Sequence, residues 1–275
     1  MPETWHCTFR STFRLLPTVK QSPLLDVFLS ADGQRPDEVL ARLPYDKARS
    51  QNPGALPDKK RYRDGRQLFR TVGLVYEEPD EDESRVRVTD LGRAVHRWQP
   101  YVTNDNAPVL GRHAAMALAA CQLSNPTGEG KGYENVTVFP FRTIWQVMLA
   151  LDGSISSDEL NRAVFKITCD DDIEQAIEAI RQARTYDDLE KMGPEVVTEG
   201  AKNDRILVWM GWASFGWMLI ADKSESHHGR YSIRPKCLSL LHETSRIRHR
   251  HREFENEIEY VQHLARCAAL PPDVR

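Results

Sequence analysis

Apolar residues along this 275-residue chain recur mostly at three- and four-residue intervals, the period of helices with one buried face. Leu24, Leu25, Val27, Phe28 and Leu29 predict a short buried helix from Ser22, with a turn over Ala31 to Arg35. Pro36 then opens a helix carrying Val39, Leu40 and Leu43, and Pro44 ends it. After the loop NPGALP, a helix beginning KKRYRDG has Leu68, Phe69 and Val72 as its apolar stripe. There the pattern shortens to the two-residue alternation of strands: LVYEE, a polar PDEDES turn and RVRVT predict a hairpin. Asp90 opens the short helix DLGRAV, and Asn104 to Ala120 leads into the small-residue helix GRHAAMALAACQL.

The polar, glycine-rich stretch NPTGEGKGYEN marks a boundary between Ser124 and Asn135, dividing the chain into residues 1–124 and 125–275. GEGKG lacks the spacing of a phosphate loop and reads as linker. Beyond it the element order repeats. An apolar helix (Phe141, Ile144, Trp145, Met148, Leu149) stops at Gly153, Ser156 or Ser157 caps the next, and Asp170 to Asp172 favour the start of a third. A further helix over about Lys202 to Gly216 precedes a second hairpin, WMLIADK, SESHHG, RYSIR. Helices followed by a hairpin are the order of a winged helix. The expected fold is mainly α with small β-hairpins (α+β): two winged-helix domains in tandem, joined by a helical spacer.

Charge refines this picture. The net charge is only -3, so any nucleic-acid binding rests on local patches. The densest runs from Lys59 to Arg70, six cations against Asp64. Arg63, Arg66, Gln67 and Arg70 fall opposite its apolar stripe, where arginine and glutamine are suited to base edges. With Lys59, Lys60 and Arg61 they form the first candidate DNA-binding set; a solvated helix face is the competing reading. The second set is Lys202, Asn203 and Arg205 at the start of the later helix, with His228 and Arg230 on the second hairpin. Trp209 and Trp212 follow, and core packing is the commoner use of tryptophan at this spacing. Arg10 and Arg14, in TFRSTFRLL, sit either on a packed turn or on an arm reaching DNA. The acidic hairpin tip, EEPDEDES, opposes phosphates and suggests that the first hairpin points away from DNA or towards a protein. Near the C-terminus, Arg246, Arg248, Arg250 and Arg252 alternate with residues that include His249 and His251, a basic strip that could track the DNA backbone, ahead of an amphipathic helix from Phe254 to Leu264 that either packs on the body or links to another domain.

Four segments, CTFRSTFRLL, YRDGRQLFRTVGLVYEE, PFRTIWQVMLAL and GWMLIADKSESHHGRYSIRP, resemble the DNA-recognition half of AlwI-type restriction endonucleases, which cut asymmetric sites. The resemblance implies two winged-helix subdomains joined by a spacer, double-stranded DNA as partner, and cleavage by a separate nuclease domain or subunit. Such nuclease sites need an acid on one strand and E-x-K or D-x-K on the next to hold a metal. Neither Asp80, Glu190-Lys191 nor Asp58-Lys59-Lys60 stands in that context.

No GxSxG, HExxH or dinucleotide motif occurs, and five widely spaced cysteines suggest neither a disulfide framework nor a metal knuckle. The chain is therefore expected to carry no catalytic residues, metal or cofactor. Without a membrane-length apolar run or a leader at its N-terminus, it is expected in the cytoplasm. The alternatives are a winged-helix adaptor docking a protein on its acidic hairpin, and a metal-dependent nuclease with an unfamiliar site.

Overall fold

The computed structural model describes residues 5, 23–43, 59–81, 83–98, 101, 103, 105–127, 133, 135–197, 199–216, 219–222 and 229–269, with side chains at all of these but 61, 110, 199–205 and 222. The chain is mainly helical, with two small antiparallel sheets.

In the first half α1 (Pro23–Ser30), α2 (Pro36–Arg42) and α3 (Lys59–Thr71) precede a hairpin of β1 (Val75–Pro79) and β2 (Ser84–Val88). Leu25 and Phe28 of α1 are buried, and the Phe28 ring stacks on Tyr62 of α3 at 5.0 Å between centroids. A glycine ends α3 for two reasons. Gly73 has φ +76, the left-handed conformation of a helix C-terminal cap, with Leu74 N–H donating to Phe69 O at 2.8 Å and Gly73 N–H to Arg70 O at 3.1 Å. A Cβ there would also stand 3.0 Å from the Leu264 side chain. The strands pair from Val75↔Val88 to Pro79↔Ser84. Val75, Val86 and Val88 are buried while Arg85 and Arg87 turn outwards. The other edge of β2 is occupied by the α1–α2 turn: Gly33 N–H donates to Val86 O and Val86 N–H to Gln34 O, at 2.8 and 3.1 Å. Next come α4 (Asp90–Trp98), the single turn α5 (Ala107–Leu110) and α6 (Arg112–Ala120). Gly92 lets α4 close on the hairpin, since a Cβ there would fall 2.3 Å from Leu74 O.

The second half runs α7 (Pro140–Ala150), β3 (Ser154–Ser156), α8 (Ser157–Arg162), α9 (Asp172–Tyr186), α10 (Glu199–Ala213), β4 (Ile220–Asp222) and β5 (Arg230–Ile233). Its sheet order is β3-β5-β4, all antiparallel. Ser156 caps α8 through a capping box with Glu159. Glu159 also accepts from Arg184 Nε at 2.7 Å, which draws α9 onto α8. The third strand has a counterpart in the first half, because the Gly33–Gln34 bridge occupies the same place in the element order.

The helix expected over about Lys202 to Gly216 is Glu199–Ala213, and its residues Ile206 to Ala213 are all buried. A helix apolar on every side belongs inside a protein. Trp145 Nε1 donates to Ala213 O at 2.8 Å, and Trp212 meets Phe69 of α3 edge-on at 6.2 Å. The buried residues form one cluster running from Trp5 to Ala268. Trp5 is buried against Phe165 and Trp209 and donates through Nε1 to Ile167 O at 2.6 Å. At the other end, α11 (Leu238–Arg246) packs on α7, while α12 (Glu257–Cys267) returns to α6, β1 and α3. There Tyr260 donates to Thr71 O at 2.9 Å.

Candidate nucleic-acid interface

The site begins with the two sides of α3. Tyr62, Gly65, Leu68, Phe69 and Val72 are buried, which turns Lys60, Arg63, Arg66, Gln67 and Arg70 to the other side. Lys60 and Arg63 are exposed, and Arg63 Nε donates to Lys59 O at 3.4 Å. Arg66 and Arg70 are engaged inside the fold. Arg66 Nε lies 3.2 Å and Arg70 Nη1 3.1 Å from Glu77 Oε1 on β1. The other edge of the Arg70 guanidinium faces Glu257 of α12, with Nε donating at 2.7 Å and Nη2 closing the fork. Burial works against the Arg70 charge, but the hydrogen bond and charge of Glu257 and the charge of Glu77 raise its pKa above the usual arginine value. Glu257 also accepts from Glu77 N–H at 3.1 Å. The cluster therefore ties α3, β1 and α12 together, and it leaves the N-terminal two turns of α3 as the outward-facing cationic end.

The hairpin's acidity is offset by neighbouring arginines. Glu78 pairs with Arg87 at 2.7 Å, Asp80 with Arg85 at 2.7 Å, and Glu83 with Arg35 at 3.1 Å. The hydrogen bond from Arg85 holds the Asp80 carboxyl below its usual range. Arg35 lies far from the hairpin in sequence, so the run EEPDEDES looked more negative than its surroundings are.

On α10, Lys202, Asn203 and Arg205 occupy the first half of the helix, and their side chains lie outside the described residues. Ile206 to Ala213 are buried, and Trp209 and Trp212 are core residues. Arg230, the first residue of β5, is exposed, with Nη1 donating to Ser154 Oγ at 3.4 Å. Arg10, Arg14 and His228 lie outside the described residues.

A cleft between the halves is lined by Leu68, Thr71, Phe141, Trp209 and Trp212, with Gln122 among its polar groups. Thr71 Oγ1 lies 3.0 Å from Thr127 Oγ1, and Gln122 bonds the backbone of Arg252 through both amide atoms. Arg142, 1 % exposed at the side chain, pairs with Asp170 at 2.5 Å and stacks on Phe139 at 4.4 Å. The sequence reading missed both Arg142 and Glu257. A lone arginine in the apolar run PFRTIWQV was a signal for the first; nothing local signalled the second. Among the described residues no three His, Cys, Asp or Glu side chains group as metal ligands, and no helix is long and apolar enough to cross a membrane.

No protein-family model matches the chain, and no curated protein matches it significantly in sequence. Among solved structures it is similar to the BpuJ1 endonuclease binding domain, crystallised in complex with pyrene- and phenanthrene-modified DNA. The likeness covers 97% of this chain and 96% of that one, with a TM-score of 0.52 and 13% sequence identity. At that identity the likeness is one of fold, and nearly the whole chain shares the fold of this endonuclease binding domain.

Proposed function

We propose that the chain is a sequence-specific double-stranded DNA-binding module, the target-recognition part of a restriction-modification or phage-defence nuclease whose cleavage domain lies on another segment or subunit. The observation that carries this reading is the likeness, along nearly the whole chain, to an endonuclease binding domain solved with DNA. The architecture is read as two winged-helix domains meeting near residue 124. Its support is the similar order: α1, the Gly33–Gln34 bridge, α2, α3 and a hairpin, then α7, β3, α8, α9, α10 and a hairpin, the second series carrying one more helix.

In this reading Arg61, Arg63 and Gln67 meet base edges, and Lys59 and Lys60 meet phosphates at the entry of α3. Arg66 and Arg70 approach the groove already paired to Glu77, so a base contact by Arg66 requires an exchange of partners and Arg63 is the stronger reader. Lys202, Asn203 and Arg205 supply the second reading element, with His228 and Arg230 on its hairpin and Arg10 and Arg14 on the N-terminal segment. Because the first hairpin's acids are largely matched by arginines, no observation favours the adaptor reading.

Fluorescence anisotropy with a mixed-sequence duplex tests the first requirement. Binding at about 10⁻⁴–10⁻⁶ M, weakening linearly in log K against log salt, is expected. No binding even at low salt refutes the proposal.

A further inference from the structure

Between α11 and α12 the chain from Ile247 to Asn256 forms neither helix nor strand. Its exposure alternates: Arg246, Arg248, Arg250 and Arg252 are exposed, while Ile247, His249 and His251 are half-buried. That two-residue period belongs to extended backbone, and Ile247 is extended at φ -67, ψ 114. The inward residues anchor the segment. His249 lies against Phe139 at 5.9 Å, and the Nε2 atoms of His249 and His251 are buried. Burial lowers the pKa of both rings, so they are uncharged at neutral pH.

The backbone is fastened at both ends. Gln146 Nε2 donates to Ser245 O at 3.0 Å and Arg142 Nη1 to Ile247 O at 3.5 Å. At the far end Gln122 Nε2 donates to Arg252 O at 2.8 Å, and Arg252 N–H donates back to Gln122 Oε1 at 3.1 Å. Arg252 itself pairs with Glu259 at 3.0 Å. For Arg246, Arg248 and Arg250, no carboxylate among the described residues lies within ion-pair distance. Arg246 ends α11, where a cation suits the helix dipole. No such contact explains Arg248 and Arg250, whose mutual repulsion works against the fold.

Extended chain advances about 7 Å per two residues, comparable to the separation of neighbouring phosphates along one nucleic-acid strand. We propose that Arg246, Arg248 and Arg250 form a preorganised edge that binds successive phosphodiesters of one DNA strand, adding affinity without sequence preference. The exposed Glu253 and Glu255 that follow set its limit. This inference rests on the DNA-binding reading above.

The test compares wild type with R246A/R248A/R250A on a mixed-sequence duplex and on a preferred duplex, by anisotropy over a range of salt. The variant should weaken both complexes by a common factor, lower the slope of log K against log salt by about 2–3, keep the preferred sequence, and unfold as wild type does. Replacement of all three by lysine should restore the slope. If the alanine variant folds poorly, R248A and R250A singly should each lower the slope by about 1. Unchanged affinity and slope in the variants, beside a wild type that binds DNA, refute the edge alone. A wild type that binds no duplex refutes the DNA-binding reading and the edge with it.

Discussion

Arg63 and Arg70 stand two turns apart on one side of α3 and do different work. Arg63 is exposed, whereas Arg70 is gripped by Glu77 and Glu257. Arg70→Ala leaves both carboxylates partly buried without their shared cation and should cost about 1–3 kcal/mol by denaturant unfolding, between the exposed and buried ion-pair limits. Arg63→Ala should stay within about 0.5 kcal/mol of wild type while weakening DNA binding. Equal stability losses from the two would contradict the assignment. Spacing alone placed both arginines on one side of the helix; Glu257, 187 residues from Arg70, was beyond the reach of any local pattern.

His249 gives a pH signature. Burial, with Arg142 and His263 nearby, lowers its pKa from 6.5 to about 4. The folded state therefore holds the ring neutral where the unfolded chain protonates it. Its contribution to stability is full above about pH 6.5 and falls away as the pH drops towards 4. His249→Phe should flatten the fall in stability between pH 7 and 4.5 relative to wild type. Parallel curves for the two proteins would argue against a buried neutral imidazole.

At the level of elements, caps and turns were the readable features. A serine at 156 or 157 announced the start of α8, and the structure forms the cap at Ser156, in a capping box with Glu159. Ser156→Ala should cost about 1 kcal/mol in thermal or denaturant unfolding, and a loss near zero would mean that the cap contributes nothing. Both hairpins were legible from their alternation and polar turns. The Gly33–Gln34 bridge and the three-residue β3 were not, because pairings this short leave no periodic trace and are set by the strand they meet. The helix was expected to enter a groove from Asn203 to Trp212, but Ile206 to Ala213 are buried, which limits the proposed reading role of α10 to its first half.

Across the whole molecule, the order of the main helices and hairpins and the likeness to a restriction-enzyme recognition domain were accessible from the chain, and the structural match agrees on the fold. The crossings between halves were not accessible: Trp5 packs beside Phe165, and α12 packs beside α3. Such contacts join residues with no sequence relation to each other. Under the proposed function these contacts would hold the start of α3 and the start of α10, the two proposed reading elements, in fixed register.

Selection of purified chain against a random duplex library near physiological salt, with methylated and unmethylated pools in parallel, tests that claim most directly. The account predicts one enriched asymmetric motif, with preference relaxed at a single base pair in Arg63→Ala. Recovery of no motif from either pool, with weak binding to bulk DNA, would contradict it.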